Sequence, residues 1–297
     1  PENRARFFAH LYINSPALLH GRGFTAAPDG AGLTVRLANG ETRDVFLEGS
    51  MLPDKRRLPY GREVMDYRVP EKDEGDWVHL MAGHEPPLYL AEPDEPFLYR
   101  YLDEPNGAYV KINYNYDIDG RSLKGWLGEV ATDMGARQPD FAVVDLRFNG
   151  GGTDATNAFA EELPALVGND GPIYIVTSRE TFSAGIGAAA MIKRSADDRV
   201  RIVGGLVGDR LRFIANGGTL FKLPNSGIST RVWSTIEDYA DGCWEWRECF
   251  VLSPFFRTEG VGDLEPHIAV PVNFADYASN RDAALDAILA DIKRRQK

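Results

Sequence analysis

Apolar positions along the chain change period several times, and each change marks an element. Residues 4–19 carry Phe7, Phe8, Leu11, Leu18 and Leu19 at helical spacing, broken by Pro16, whose ring cannot continue a helix interior. Strict alternation follows in Leu33-Thr34-Val35-Arg36-Leu37 and again over 42–47, with Ala38-Asn39-Gly40 turning between them, the pattern of a β-hairpin. Residues 52–97 are rich in proline and charge with little period and read as loop with short strands.

From residue 107 the pattern becomes regular. Ala108-Tyr109-Val110-Lys111-Ile112-Asn113-Tyr114 reads as a strand, and Leu123, Trp126, Leu127, Val130 and Met134 give 121–134 one apolar helical face. An apolar strand over 141–148 leads through a glycine run to a helix over 154–167. A buried strand over 173–177 leads to a helix over 183–195, and 200–203 reads as a third strand. Strands alternating with helices at this spacing predict a parallel sheet covered by helices, an α/β architecture. Residues 212–270 read as short strands and turns, the strongest turn being Leu223-Pro224-Asn225-Ser226-Gly227. Leu285, Ile288, Leu289 and Ile292 form the stripe of a C-terminal helix, with Ser279 as its expected cap and Asp282 completing a near-capping box. These changes divide the chain into an N-terminal α+β region, residues 1–105, packed on a core, residues 106–297.

A length of 297 residues and a 43% hydrophobic composition suffice for a core that needs neither metal nor disulfide. The formal net charge of -11 argues against nucleic acid or an anionic membrane as partner, because phosphate binding needs a basic footprint. No apolar run reaches the ~18 residues of a membrane span. Pro1, followed by polar residues, reads as the start of a piece trimmed from a longer precursor. Cys243 and Cys249 are close enough for a small surface-loop disulfide, which suits an oxidising compartment; two unrelated thiols are the alternative. No HExxH, no Cys cluster and no Asp-rich calcium loop is present, so neither metal nor cofactor is expected.

Two segments carry candidate chemistry. Asp145-Leu146-Arg147-Phe148-Asn149-Gly150-Gly151-Gly152 follows a buried strand. Consecutive glycines there permit positive φ and let backbone N–H groups form an anion-binding concavity, which in acyl transfer serves as an oxyanion hole. Neither a P-loop nor a dinucleotide fingerprint fits, since the loop runs into Thr153-Asp154 without Gly-Lys-Ser/Thr. A tight turn without chemistry is the alternative. The second segment is Thr181-Phe182-Ser183-Ala184-Gly185 at the start of a small-residue helix. A serine there is either a helix N-cap or a nucleophile beside the positive end of the helix dipole. Both segments fall at the carboxyl ends of successive strands, the edge where open α/β sheets bind ligands.

Asp145-Leu146-Arg147-x-Asn149-x-Gly151-Gly152, Thr181-x-Ser183-Ala184, Val203-Gly204, Leu223-Pro224-Asn225-Ser226-Gly227 and Gly260-Val261 to Glu265-Pro266-x-Ile268-x-Val270 occur in this order. Together they resemble the C-terminal processing peptidases, or tail-specific proteases, relatives of the tricorn core, over about residues 107–290. The resemblance implies a crotonase-like (ClpP-like) β-β-α core, Ser183 as nucleophile, and an oxyanion hole from the backbone of Gly150 or Gly151 and of Ala184. It also implies a structural role for Asp145, Arg147 and Asn149, a peptide or protein substrate, and an extracytoplasmic location, periplasmic or secreted.

The serine–lysine dyad of that family has no counterpart here. Where its lysine belongs the chain reads Gly204-Gly205-Leu206-Val207-Gly208-Asp209-Arg210, and a guanidinium does not give up its proton. A histidine is one substitute: His10, His20, His79, His84 and His267 are available, with His79, His84 and His267 the favoured three. Lys111 is another if desolvated, although a solvated strand residue is the expected reading. Lys193, ten residues after Ser183, lies ~15 Å along the helix, too far to serve. The third alternative is a peptide- or lipid-binding module without activity, as in retinoid-binding modules of the same resemblance, with Phe250, Phe255, Phe256, Trp244 and Trp246 lining a pocket. A crotonase-like acyl-CoA enzyme fits less well, for want of a basic stretch to dock phosphates.

Overall fold

The computed structural model describes residues 16–37, 39–48, 83–225, 227 and 229–295. Two compact units divide the chain, Pro1–Tyr60 and Gly61–Lys297. In the first, α1 (Pro16–Gly21) precedes a hairpin of β1 (Gly30–Arg36) and β2 (Thr42–Glu48), paired with Leu33 opposite Val45. Pro16, expected to break a helix, opens one instead: at the first helical position its missing N–H is not needed. The helical spacing over 4–15 lies outside the described residues.

The second unit is built on a six-stranded mixed sheet, part of an α/β architecture, in the order β12-β7-β6-β5-β4-β3. Its strands are β3 (Phe97–Leu102), β4 (Gly107–Ile112), β5 (Ala142–Asp145), β6 (Ile173–Thr177), β7 (Val200–Gly204) and β12 (Ile268–Ala269). β4 to β7 and β12 run parallel, and β3 is antiparallel to β4. The sheet therefore starts at residue 97, and the change of character near 105 falls in the β3–β4 connection.

Three helices return the chain between successive parallel strands: α2 (Leu123–Arg137), α3 (Asn157–Leu166) and α4 (Ala184–Ala196). Because β4, β5, β6 and β7 are laid down side by side, crossovers of one hand put all three helices on one face. Their apolar residues (Leu127, Phe159, Ile186, Ala189) join Val110, Val144, Ile175 and Ile202 in one cluster. Alternate strand residues (Tyr109, Val143, Tyr174, Val203) point to the opposite face and meet Ala284, Ile288 and Ile292 of α6 (Ala283–Arg295). Ser279, expected to cap this helix, instead ends α5 (Phe274–Ala278); Asn280 turns the chain at positive φ, and the Asp282 carboxylate accepts the Ala284 and Leu285 amides.

Outside the sheet, β8 (Arg212–Ala215) pairs with β11 (Thr235–Asp238), and β9 (Thr219–Lys222) with β10 (Ser229–Val232). The expected turn joins the latter pair, the Gly227 amide donating to the Leu223 carbonyl at 3.0 Å. Cys243 and Cys249 form a disulfide. Of the five aromatic residues that could line a pocket, Phe255 is wholly buried against Tyr239, while Trp244 and Trp246 face solvent. Among the described residues no helix is long and apolar enough to cross a membrane.

Candidate active site

The loop after β5 and the loop after β6 leave the same edge of the sheet and are stitched together by short polar side chains. The Thr181 hydroxyl donates to the Leu146 carbonyl (2.8 Å) and accepts the Ser178 amide (3.0 Å). The Ser178 hydroxyl donates to the Arg147 carbonyl (2.5 Å), and the Phe182 amide donates to the Asn149 carbonyl (2.9 Å). These bonds bring the glycine run against the serine turn. A Cβ placed on Gly151 would lie 2.7 Å from the Ser183 Cβ and 3.0 Å from the Ala184 nitrogen, and Gly151 has φ +108°; only glycine fits. Gly185 is equally constrained from the other side, where a Cβ would lie 2.4 Å from the Asn149 carbonyl oxygen.

Ser183 is half-buried at the corner between β6 and α4, with φ 51° and ψ -124°. A side chain is rarely found at such a positive φ, and holding it there costs about 1–3 kcal/mol. The hydroxyl accepts no amide of its helix and has no hydrogen-bond partner among the described residues. The capping alternative for Ser183 thus does not describe its geometry.

The two candidate glycine amides differ. Gly151 N–H donates to the Asn149 Oδ1 at 3.0 Å in a buried bond. Gly150 N–H has no partner among the described residues, and Gly150 is exposed, with nothing within 4 Å of where its Cβ would be. Ala184 N–H, in the first turn of a 13-residue helix, is likewise without a partner among the described residues. It carries the partial positive charge of the helix end.

The structural roles of Asp145, Arg147 and Asn149 are visible in their bonds. Asp145 accepts the Tyr109 hydroxyl (2.6 Å) and the Arg147 Nε (3.0 Å), and the Arg147 guanidinium reaches both Asp282 oxygens at 3.1 and 3.0 Å. Asn149 Nδ2 donates to the Ile112 carbonyl (3.0 Å) and to Asn115 Oδ1 (2.8 Å). Asn115 and Ser178 were not legible in the sequence, and Thr181 was, but not its bond to the Leu146 carbonyl. An isolated Asn, Ser or Thr in a loop carries no signal of which distant backbone it serves.

The candidates for general base separate on geometry. Lys111, expected to be solvated, is 1% exposed, and its ammonium donates to the Ala91 carbonyl at 2.6 Å. Its side chain shares a strand face with Tyr109, opposite the face that α4 covers. His267 is exposed, and its Nδ1 accepts the Ile202 amide at 2.9 Å. Its pKa is pushed down by partial burial and by the charges of Arg201 and Lys193. Lys193 itself donates to the Asp263 carbonyl at 2.7 Å. His20 lies in the first unit, with Nδ1 3.0 Å from the Thr25 carbonyl. His84 is exposed; His10 and His79 lie outside the described residues. Gly208 N–H donates to the Thr181 carbonyl at 2.8 Å, so residues 208–210 do run beside the serine turn, and the exposed cation they bring is Arg210.

A buried acid stands behind α4. Glu237 on β11 accepts Asn216 Nδ2 at 2.8 Å, and burial raises its pKa. Tyr239 on the same segment packs its hydroxyl on Gly187, 2.9 Å from where a Cβ would sit, four residues after Ser183.

No protein-family model matches the chain, and no curated protein matches it in sequence. Among solved structures, it is similar to mature CPAF (12% identity, TM-score 0.45, covering 91% of this chain and 68% of that one). A Bacteroides fragilis protein assigned to the S41 proteases matches at 14% identity and TM-score 0.42, over 88% of this chain and 65% of its own. The photosystem II D1 C-terminal processing protease matches at 14% identity and TM-score 0.39, over 64% of this chain and 54% of its own. Proteases of the kind the sequence resembles are thus among the structures to which this chain is similar.

Proposed function

We propose that the chain is a serine-type peptidase on a crotonase-like core, cleaving peptide bonds through an acyl-enzyme on Ser183. The backbone of Ser183 carries this reading: a non-glycine residue at φ 51°, ψ -124°, whose hydroxyl caps nothing, where a buried strand turns into a helix. A serine present only as N-cap would put its oxygen on an orphan amide of the first turn. Strain kept without that compensation, at a strand-to-helix corner, is the form in which hydrolases present a nucleophile.

In this reading Ser183 Oγ attacks the scissile carbonyl carbon as a base takes its proton. The carbonyl oxygen becomes an anion facing the amides of Gly150 and Ala184, at the positive end of α4. The C–N bond then breaks, the leaving amine receives the proton, and water hydrolyses the ester by the reverse proton path. Arg210 does not give up its proton, and in this reading a histidine of the chain's first part, His79 or His84, takes the proton in its place. The substrate is a peptide or protein, and the Cys243–Cys249 disulfide favours an oxidising, extracytoplasmic location.

The test is cleavage of an unfolded protein and a peptide library by the chain and by its Ser183→Ala variant across pH, with fluorophosphonate labelling beside it. Cleavage and labelling by the parent alone are expected, with an acid limb near pH ~6–7 for a histidine base. Persistent cleavage by Ser183→Ala overturns the assignment. A folded parent that neither cleaves nor labels favours the second reading, a binding module, for which the arginine at 210 is the motive.

A further inference from the structure

We propose that Asn115 is a positioning residue for this chemistry, holding the two oxyanion donors, Gly150 and Ala184, at a fixed separation; the proposal rests on the peptidase reading above. Asn115 lies just beyond β4 and is wholly buried. Its backbone grips the glycine run from outside. Its amide donates to the Gly151 carbonyl (3.0 Å), and its own carbonyl accepts the Thr153 amide (2.6 Å) and hydroxyl (2.7 Å). A short parallel bridge with Gly152 results.

The side chain of Asn115 spans to the other arm of the site. Oδ1 accepts Asn149 Nδ2 at 2.8 Å, and Asn149 in turn holds the Gly151 amide. Nδ2 donates to the Ala184 carbonyl at 2.8 Å, with Thr156 Oγ1 at 3.4 Å as a weaker partner. One residue thus touches both flanks of Gly150 through the loop and the residue that bears the second donor. A side-chain amide accepts through its oxygen and donates through its nitrogen at the same time. An aspartate of the same shape would still accept from Asn149 but would set an oxygen against the Ala184 carbonyl. The Ala184 carbonyl is not an orphan in need of a partner, because helix ends leave amides, not carbonyls, unsatisfied in the first turn. The bond's effect is instead to tie Ala184 to the loop.

Hydrogen-bond donors stabilise an oxyanion only at the position the anion takes up, and misplacement by about 1 Å costs on the order of 10²-fold in rate. Asn115→Ala and Asn115→Asp are therefore expected to lower kcat about 10- to 100-fold with KM nearly unchanged. Affinity for a peptide boronate, which forms a tetrahedral adduct on Ser183, should fall by the same factor, while affinity for a cleaved product peptide stays as in the parent. All values are taken per folded molecule, measured by circular dichroism and thermal unfolding. Asn115→Asp carries the test if Asn115→Ala does not fold. Unchanged kcat and boronate affinity per folded molecule, in a parent that cleaves and labels, overturn the role of Asn115 alone. A folded parent that neither cleaves nor labels at Ser183 overturns the peptidase reading and this role with it.

Discussion

At the residue scale the site depends on which glycines are needed for space and which for their N–H. Gly150 has open surroundings and a negative φ, so a methyl group there meets nothing. Gly151 sits at φ +108° with Ser183 in the place its Cβ would take. Gly150→Ala is therefore expected to keep the parent's melting temperature and kcat within a factor of about two, because in the proposed mechanism its donor is the backbone N–H. Gly151→Ala combines a strained φ with a clash; about 2 kcal/mol of stability and most of the turnover should be lost. Unfolding and steady-state kinetics on the pair check both. The reverse ranking would mean that the loop is held by something other than contact with Ser183.

At the element scale each parallel strand ends in a loop whose position is set by bonds to its neighbour, and α6 is fastened to the same edge. Arg147, just past β5, is nearly buried and shared between Asp145 and Asp282. Asp282 also caps the helix that covers the second face of the sheet. Removing one partner of a buried pair leaves charge uncompensated, which costs far more than an exposed pair is worth. Asp282→Ala is expected to lose about 3 kcal/mol, read from urea unfolding. A loss within the range of a surface substitution would mean that Asp145 alone suffices for Arg147. The element pattern was largely legible beforehand, since a buried strand and an amphipathic helix each announce themselves by period. The register of β4, Lys111 opposite Asp145, was not, and with it went the burial of Lys111.

For the whole molecule, Asp291 gives acid stability a definite limb. Burial works against its charge, but hydrogen bonds from Arg294, Arg295 and the Tyr174 hydroxyl outweigh that and hold its pKa down to about 2. An unfolded aspartate titrates near ~3.9. The contribution, about 2 kcal/mol, is full above about pH 4 and disappears as pH falls through about 2, because the unfolded chain binds the proton first. Asp291→Asn should lower stability by that amount at pH 7 and leave a flatter acid limb below pH ~4. Urea unfolding over this range checks it, and parallel curves for parent and variant would exclude the linkage.

The sequence by itself determined the period of most elements, the turn between β9 and β10, the pairing of the glycine run with the serine turn, and the absence of a lysine at 210. These are local: period, glycine and turn residues act over a few neighbours. Only the tertiary structure decided that Ser183 is twisted away from capping, that Asn149 occupies the Gly151 amide, and that Asn115 joins loop to helix. It likewise buried Phe255 while leaving Trp244 and Trp246 exposed, and set His267 against the Ile202 amide. The bond from Asn115 to Ala184 joins residues 69 positions apart. Hydrogen-bond partners at such separations are chosen by strand order and register, which follow from the packing of the whole sheet.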